Sequence, residues 1–379
     1  MDVFEAWGYA RIITPAFECA DVLERGLGAG AKAEAIRFVE PASGEVVALR
    51  PDITPQIARI VATRMAAVPG PIRLCYEGSV TRLTGEAGQR EILQAGIELV
   101  DAPVDEGDAE ALALATAILS RLSLAETQLD VGHVAPARFV LDSAPNEDAR
   151  QAVIAALSRK DRAAVRAAAQ LLPPSVRPLA EALVGLWGPA AATLASARTL
   201  PWPDPVRDAL AHVESVTSGL DGVTVDLGDL RGFDYYTGIR FAAYADGAPD
   251  AILRGGRYDQ LIGRYGRPAR AVGFAIDLEA VAQAQRSTGI AVPAAAPGVV
   301  VGELSLAPVL RALGLRVVYQ RVVPMAPETC AAWLRGVGFD AAIAGQRAIR
   351  ADGSERLVTT QIQAAIAGDM APLIELLRG

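Results

Sequence analysis

The chain of 379 residues contains only two histidines and three cysteines. The cysteines, Cys19, Cys75 and Cys330, are far apart and lack the paired spacing of a zinc site or a disulfide framework. Neither His133 nor His212 has a neighbouring cysteine or histidine, and this pattern favours ordinary hydrogen-bonded side chains over catalytic ones. The motifs GxSxG and HExxH and the P-loop are also missing. The sequence therefore predicts no catalytic residue and no metal site of the usual kinds.

Long apolar runs are missing as well. No run approaches the roughly 20 residues of a membrane-spanning helix, and the first residues, MDVFEAWGYARI, lack the basic start and apolar core of a signal peptide. A content of 51% hydrophobic and 21% charged residues is typical of an ordered globular protein. The net charge of −8 argues against a general nucleic-acid binder, because such affinity comes from a cationic surface. We expect a cytoplasmic protein of two or three domains.

The first part of the chain alternates strands and helices. AIRFVE and EVVALR flank the turn PASG as a hairpin, and IRLCYEGSVTRL pairs with REILQAGIELV as a second pair of strands. Between them, Thr54 is predicted to cap a helix that opens with Pro55. The segment DEGDAEALALATAILSRL has acids in its first turn, as a helix start favours. These patterns predict a largely antiparallel sheet with helices packed on it.

Composition marks three further regions. Residues from about 146 to 216 are rich in Ala, Leu and Arg at helical spacing, which predicts a helical insertion. The strands VTVDLGDL, GIRFAAYA and AVGFAID then resume the sheet. The Pro- and Ala-rich segment 287–298 is a connector. We therefore predict a ligand-binding domain over 1–286 and a small α/β domain over 299–379, whose eight arginines, seven acids and absence of lysine give no strongly basic face.

Four segments place polar residues inside otherwise apolar strands, where burial without partners would cost several kcal/mol. They are ALRPDITPQ, LCYEGSVTRL with ILQAGIEL, DLRGFDYYTGIRF and RGGRYDQL. Gln94 and Glu98 share one face of their strand with Gly96, which we expect to leave room for a ligand. Taken one at a time, the segments have ordinary structural interpretations: a solvated sheet face, a turn with core tyrosines or a glycine loop. Together, they indicate one shared pocket.

The residues of these segments suit a small zwitterion. Asp52 and Glu98 could bind an ammonium group, and Arg82 or Arg231 could bind a carboxylate. Tyrosine hydroxyls could bind a polar side chain. The sequence therefore predicts an amino-acid site.

A family resemblance rests on seven motifs in order: FEAWGYARIITPAFE, RPDIT, YEGSVTR, QREILQAGIE, RGFDYYTG, GGRYDQLIG and AVGFAIDLE. They resemble the catalytic core of histidyl-tRNA synthetase, a class II aminoacyl-tRNA synthetase, over roughly residues 4–135 and 222–285. The resemblance implies an α+β fold, an antiparallel sheet with flanking helices, and dimerisation through GYARIITP. It also implies a histidine site formed by Asp52, Thr54, Arg82, Gln94, Glu98, Arg231, Tyr235, Tyr236 and Tyr258, with aspartate at 52 where the family has glutamate.

The ATP half of the synthetase pattern is not preserved. Thr84 stands where the family has a glutamate that contacts adenine, and Asp277 stands where it has glycine. Ala280 replaces the arginine that clamps the ATP phosphates. Losing such a contact typically lowers phosphoryl-type rates by about a hundredfold to a thousandfold, and Asp277 would add an anion beside the triphosphate. We therefore expect no amino-acid activation.

An intact amino-acid site without a nucleotide site resembles the histidyl-tRNA synthetase-like regulatory subunits of ATP phosphoribosyltransferase. ATP phosphoribosyltransferase is the first enzyme of histidine biosynthesis. The segment LRPDITPQIARI is closer to its regulatory subunits than to the synthetase. The resemblance implies no cofactor, no tRNA and no chemistry of its own. It implies that a homodimer within a hetero-octamer activates a short catalytic subunit and confers feedback inhibition by histidine.

Three other functions are open alternatives. An active or divergent histidyl-tRNA synthetase would need a working ATP site and usually a basic anticodon-binding domain. A transferase that uses this fold to modify another molecule would also need a working ATP site. A structural adaptor without a ligand would not need Gln94, Glu98, Arg231 and Tyr236 together.

Overall fold

The chain folds as two compact units, Met1–Ile290 and Ala291–Gly379. The structure is a computed structural model that describes residues 1–83, 90–124, 126–232, 235–289, 298–312, 314–323, 326–367, 369 and 371–378. The division falls inside the segment 287–298 that the sequence marks as a connector. Over the described residues, no helix is long and apolar enough to cross a membrane.

Among the described residues of the first unit, nine strands form one sheet in the order β1-β5-β6-β12-β11-β10-β7-β9-β8. Only the β1–β5 and β7–β9 pairs are parallel, so the sheet is largely antiparallel, as predicted. A separate antiparallel sheet has the order β2-β4-β3 and contains the predicted hairpin β3–β4. The strands are β1 (Ala10–Arg11), β2 (Phe17–Cys19), β3 (Arg37–Val39), β4 (Val46–Leu49), β5 (Ile72–Thr81), β6 (Glu91–Val100), β7 (Thr127–His133), β8 (Trp187–Pro189), β9 (Thr224–Asp226), β10 (Ile239–Ala245), β11 (Leu253–Arg257) and β12 (Ala271–Asp277).

Helices cover the sheet and bury its apolar side chains. The longest described helix, α5, carries Asp105 and Glu106 in its first turn and buries Leu112 and Leu114 completely. Acids at this end complement the helix dipole, which confirms the helix that the sequence predicts. The helices of this unit are α1 (Asp2–Ala6), α2 (Ala20–Gly26), α3 (Ala29–Glu34), α4 (Thr54–Thr63), α5 (Val104–Arg121), α6 (Val134–Asp142), α7 (Glu147–Ser158), α8 (Arg162–Ala169), α9 (Arg177–Leu183), α10 (Ala190–Arg198), α11 (Asp204–Thr217) and α12 (Leu278–Ser287).

The helical insertion consists of α7 to α11 with the short strand β8 between α9 and α10. It occupies residues 147–217, close to the range that the composition indicates. Its apolar faces join the main core of the first unit, where Leu157 and Leu210 are fully buried. The strands that follow it, β9, β10 and β12, return to the nine-stranded sheet as expected.

The start of α4 differs from the prediction. Thr54 is the first residue of the helix rather than its cap, and Ile53 occupies the cap position without a side-chain hydrogen bond. The carboxylate of Asp52 accepts a hydrogen bond from the Thr54 amide at 3.0 Å. The predicted cap is therefore wrong, because Thr54 lies one residue past the cap position, and its hydroxyl donates to the buried Glu98 on β6.

The second unit is a small α/β domain. In its described residues a five-stranded sheet has the order β14-β13-β15-β16-β17, with β13 parallel to both β14 and β15. Val299, Leu310 and Ile343 belong to its core. Its elements are β13 (Gly298–Val301), α13 (Leu306–Ala312), β14 (Arg316–Tyr319), α14 (Pro327–Val337), β15 (Ala341–Ala344), β16 (Arg347–Arg350), β17 (Glu355–Leu357), α15 (Thr359–Ile366) and α16 (Ala371–Arg378).

Candidate functional site

A cavity of about 720 Å³ lies in the first unit, over the middle strands of the large sheet. Strands β6, β11 and β12 supply its floor, and the first residues of helices α4 and α12 supply parts of its wall. It is larger than a single amino acid would fill. Its lining includes eight of the predicted histidine-site residues: Asp52, Thr54, Arg82, Gln94, Glu98, Tyr235, Tyr236 and Tyr258.

Glu98 is the central buried acid of this cavity, with only 2% of its surface exposed. Its Oε1 accepts a hydrogen bond from the Thr54 hydroxyl at 2.6 Å, and its Oε2 accepts a short one from the Tyr258 hydroxyl. Burial raises the pKa of Glu98 to about 8; these two hydrogen bonds oppose that rise and nearby Asp52 adds to it. A cation bound beside this carboxyl would favour its ionised form.

Glycine at position 273 makes room for this acid. Gly273 lies opposite Glu98 in the β6–β12 ladder, and a Cβ atom there would lie 2.0 Å from the Glu98 Oε2. A side chain at 273 would therefore displace the carboxylate.

Gly96 has another use than the one predicted. A Cβ atom at this position would lie 2.5 Å from the Tyr76 hydroxyl, so the fully buried Tyr76 side chain takes the space above the glycine. The expectation that Gly96 leaves room for a ligand is wrong, because its cross-strand neighbour in β5 occupies that room.

Aromatic rings form one wall of the cavity. Tyr235 packs on Tyr258 with ring centroids 5.3 Å apart and meets Tyr236 edge-on at 5.2 Å. Burial raises the pKa of Tyr235, Tyr236 and Tyr258 above the usual value, so these hydroxyls stay neutral donors and acceptors. Phe233 and Asp234 of the same motif lie outside the described residues.

The two predicted carboxylate-binding arginines have different positions. Arg82 lines the cavity and donates from Nε to the Pro51 carbonyl at 3.1 Å. Arg231 is not among the lining residues. Its guanidinium instead binds the Asp229 carboxylate, with Nη2 2.6 Å from Oδ2.

Arg254 is a cavity residue that the sequence argument missed. It lies on β11, where it pairs with Asp250. Alternation along an extended chain puts residues 254, 256 and 258 on one face, so Tyr258 could have identified it. Arg257 points the other way and pairs with the buried Asp108 at 2.6 Å.

The beginning of α12 borders the same cavity. Asp277 caps this helix, because its Oδ1 accepts hydrogen bonds from the amides of Glu279 at 3.0 Å and Ala280 at 2.9 Å. A carboxylate therefore occupies the helix end at which an anion would otherwise bind. Ala280 contributes only a methyl group to the wall. Thr84 lies outside the described residues.

Both histidines make structural hydrogen bonds, as their isolation in the sequence indicates. The His133 Nδ1 accepts from the Ala135 amide at 3.0 Å at the start of α6. The His212 Nε2 lies 2.7 Å from the Asp108 carboxylate. Within the described residues no group of three or more His, Cys, Asp or Glu side chains could hold a metal ion.

Comparison with known proteins agrees with this fold. The family model for histidyl-tRNA synthetase matches residues 1–281. The ATP phosphoribosyltransferase regulatory subunit of Anaeromyxobacter dehalogenans (strain 2CP-1) is 48% identical over 293 residues, which cover 75% of this chain and 84% of the relative. The protein of the same name from Geobacter metallireducens is 42% identical over 293 residues, covering 74% of this chain and 67% of the relative.

Solved structures show the same relationship. An ATP phosphoribosyltransferase regulatory subunit/histidyl-tRNA synthetase from Bacillus halodurans C superposes with a TM-score of 0.77 at 26% identity, over 90% of this chain and 91% of that one. Histidyl-tRNA synthetase from Nostoc sp. PCC 7120 shares the fold, with a TM-score of 0.77 at 21% identity over 97% of this chain and 93% of that one. The chain is thus a class II synthetase-like protein of the histidyl type. Within that class it belongs to the family of ATP phosphoribosyltransferase regulatory subunits.

Proposed function

We propose that the protein binds histidine in this cavity and thereby regulates a short catalytic subunit of ATP phosphoribosyltransferase in the cytoplasm. It activates that subunit and confers feedback inhibition on the first step of histidine biosynthesis. The observation that carries the proposal is Glu98, a buried carboxyl held by Thr54 and Tyr258 at the floor of a cavity. Over the part of the chain that the structure describes, no arginine or lysine pairs with this group, so it is well suited to receive the cationic part of a ligand.

The remaining lining residues complement the other groups of histidine. Asp52 is a second acid, close enough to Glu98 to raise its pKa, and Arg82 is a cation within the same cavity. Gln94 and the tyrosine hydroxyls offer neutral donors and acceptors for an imidazole ring. This distribution of acid, base and neutral polar groups supports an amino acid rather than a simple anion.

The neighbouring part of the cavity supports binding without activation. Asp277 places a carboxylate at the start of α12, and Ala280 supplies no cation there. A triphosphate would meet repulsion where phosphoryl chemistry requires positive charge. The relatives' names as regulatory subunits agree with this interpretation.

Regulation requires that histidine bind the inhibited state of the complex more tightly than the active state. Coupling of about 1 to 3 kcal/mol is typical of such systems. By linkage, the catalytic subunit would then alter the affinity for histidine by the same factor.

The proposed assembly is a homodimer within a hetero-octamer of four chains of each kind, and exposed apolar side chains support the self-association. On one face of the three-stranded sheet, Phe17 and Phe38 meet edge-on with centroids 5.6 Å apart; on the opposite face, the cross-strand pair Val39 and Val46 is 59% and 51% exposed. Clusters of exposed apolar side chains mark interaction surfaces. Analytical ultracentrifugation of the free protein and of its mixture with the catalytic subunit tests both assemblies.

Calorimetry with histidine tests the site. We expect saturable binding by the wild type and its loss in Glu98→Ala, because the ligand cation loses its partner. Glu77→Ala is the matched control, since Glu77 lies on the adjacent strand β5 and is paired with Arg11 at the surface. Absence of binding to the wild type, alone and with the catalytic subunit, would rule out the proposed ligand.

Two activity measurements test the role. In the reconstituted phosphoribosyltransferase, histidine should inhibit the complex containing wild-type protein and leave the complex containing Glu98→Ala uninhibited. Histidine-dependent exchange of pyrophosphate into ATP should be absent, and clear exchange would instead identify an active synthetase.

A further inference from the structure

The Asp229 carboxylate binds two arginines that differ sharply in exposure. Arg240 lies 2.7 Å from its Oδ2, and both of these side chains are only 8% exposed. Arg231 approaches the same carboxylate with Nε 3.1 Å from Oδ1 and Nη2 2.6 Å from Oδ2, while 56% of its side chain is exposed. Asp229 is therefore neutralised twice, once from the interior and once from the surface.

The two arginines differ in how readily they can leave. Arg240 lies on β10 inside the sheet and also donates to the Asp226 carbonyl at 3.3 Å. Arg231 precedes β10, and its guanidinium lies 5.6 Å from the centre of the half-buried Tyr244 ring. Departure of Arg231 would leave Asp229 paired with the buried Arg240, so no buried charge would lose its only partner.

Arg231 is also attached directly to the cavity wall. The carbonyl of the next residue, Gly232, accepts hydrogen bonds from the amides of Tyr235 at 2.9 Å and Tyr236 at 3.0 Å. Gly232 has a φ of +69°, and a Cβ atom there would lie 2.6 Å from the Tyr236 ring. Since both tyrosines line the cavity, the Arg231 backbone adjoins it while the guanidinium is held outside by Asp229.

We propose that Asp229 is a positioning residue that holds Arg231 outside the cavity and competes with the carboxylate of the ligand for its guanidinium. The proposal rests on the proposed function, because the ligand is taken to be an α-amino acid. Binding then exchanges the Arg231–Asp229 pair for a pair between Arg231 and the ligand carboxylate. Arg240 continues to compensate the charge of Asp229. Asp229 thereby lowers the affinity for ligands that carry a carboxylate and leaves the affinity for ligands without one unchanged.

Comparison of two ligands separates the effect of Asp229 on carboxylate binding from any effect on the rest of the site. Histamine keeps the imidazole and ammonium groups of histidine and lacks the carboxylate. In calorimetry on the full chain, Asp229→Asn should strengthen histidine binding about two- to fivefold, the range expected for release of a partly exposed ion pair. Histamine binding should not change. Arg231→Gln should lower the affinity for histidine toward that for histamine and leave histamine binding unaffected.

Glu214→Gln is the matched control, because it releases Arg198 from an exposed bidentate pair in the helical insertion. It should alter neither affinity. Equal strengthening of both ligands by Asp229→Asn, or no change for histidine, would overturn the proposal. If Asp229→Asn fails to fold, Arg231→Gln decides alone: unchanged histidine affinity refutes the role of the arginine. Failure of the wild type to bind histidine would instead refute the proposed function.

Discussion

The Thr54 hydroxyl donates a hydrogen bond to the Glu98 carboxylate across 2.6 Å, joining the first turn of α4 to strand β6. The two residues are 44 positions apart in sequence. Thr54 is the first residue of α4 rather than its cap, and its hydroxyl makes this contact instead of a capping hydrogen bond. The sheet and the helix are thus fixed relative to each other at the floor of the cavity.

Thr54→Val should weaken histidine binding about tenfold or more. Valine keeps the branched shape but removes the donor, which leaves a buried carboxyl oxygen without one of its two partners at a cost of about 1–3 kcal/mol. Calorimetric titration measures the change. Thr54→Ser, which retains the hydroxyl, should restore most of the affinity; a valine variant that binds like the wild type would show that the contact does not position Glu98.

Histidine binding should release a proton at pH 7.5. Burial raises the pKa of Glu98 to about 8, so the group is largely neutral at this pH before histidine binds, and a bound ammonium favours its ionised form. The free imidazole, with a pKa of about 6.5, is already neutral at this pH. Titrations in buffers of different ionisation enthalpy measure the proton, and the affinity should rise with pH up to about 8.

Glu98→Gln is the control for the released proton, because it keeps the size and a hydrogen-bond acceptor while removing the titration. Its residual binding should be weak and free of proton release. If the wild type binds histidine with no buffer dependence at this pH, Glu98 either remains neutral in the complex or is already ionised in the free protein.

The cap at Asp277 and the alanine at 280 together should decide nucleotide binding. Asp277→Asn keeps an acceptor for the Glu279 and Ala280 amides, so helix α12 should lose no more than a few tenths of a kcal/mol. Combined with Ala280→Arg, it removes an anion and adds a cation at the helix end. The double variant should bind ATP measurably more tightly than the wild type in calorimetry with Mg²⁺.

The single variant Asp277→Asn shows how much of this gain comes from removing repulsion alone. Equal ATP affinity in the wild type and the double variant would mean that these two positions do not block the nucleotide. Asp277→Ala, which lacks the cap, should lower the free energy of unfolding by about 1 kcal/mol.

The sequence predicts the central strands of the sheet because they are long, mostly apolar runs. The seven residues of β12 and the last six of β6 are largely buried, so each run identifies a strand of the core. Eight of the nine proposed histidine-site residues line one cavity, because the four polar segments converge there.

Contacts at single side chains were harder to predict. The sequence alone allows Gly96 to leave room for a ligand, yet the Tyr76 ring fills that space. Tyr76 lies opposite Gly96 because of the cross-strand register, which is set only in the folded sheet. Arg231 suits a ligand carboxylate, yet the carboxylate of Asp229, two residues earlier, binds its guanidinium. Local competition of this kind depends on distances that a sequence pattern does not contain.

The chain's two histidines should affect stability in opposite directions, although their rings lie only 6.5 Å apart. The hydrogen bond to Asp108 raises the pKa of His212, and its charge interaction with Asp105 adds to this. Its stabilising contribution is therefore complete below the unfolded pKa of about 6.5 and is lost as pH rises through the higher folded value. Burial instead lowers the pKa of His133 to about 4, with His212, Arg138 and Arg257 contributing in the same direction and Asp108 opposing them.

His133 should consequently cost the fold stability in acid. Between pH 6.5 and 4 the unfolded chain gains a proton at this site and the folded chain does not, which removes up to about 3 kcal/mol. His133→Asn keeps a favourable cap for α6 and removes the titration, so its unfolding free energy should fall less than that of the wild type over this range. Urea unfolding at pH 7, 6 and 5 measures the difference, with His212→Gln as the comparison; parallel curves for wild type and His133→Asn would show that His133 titrates normally in the folded protein.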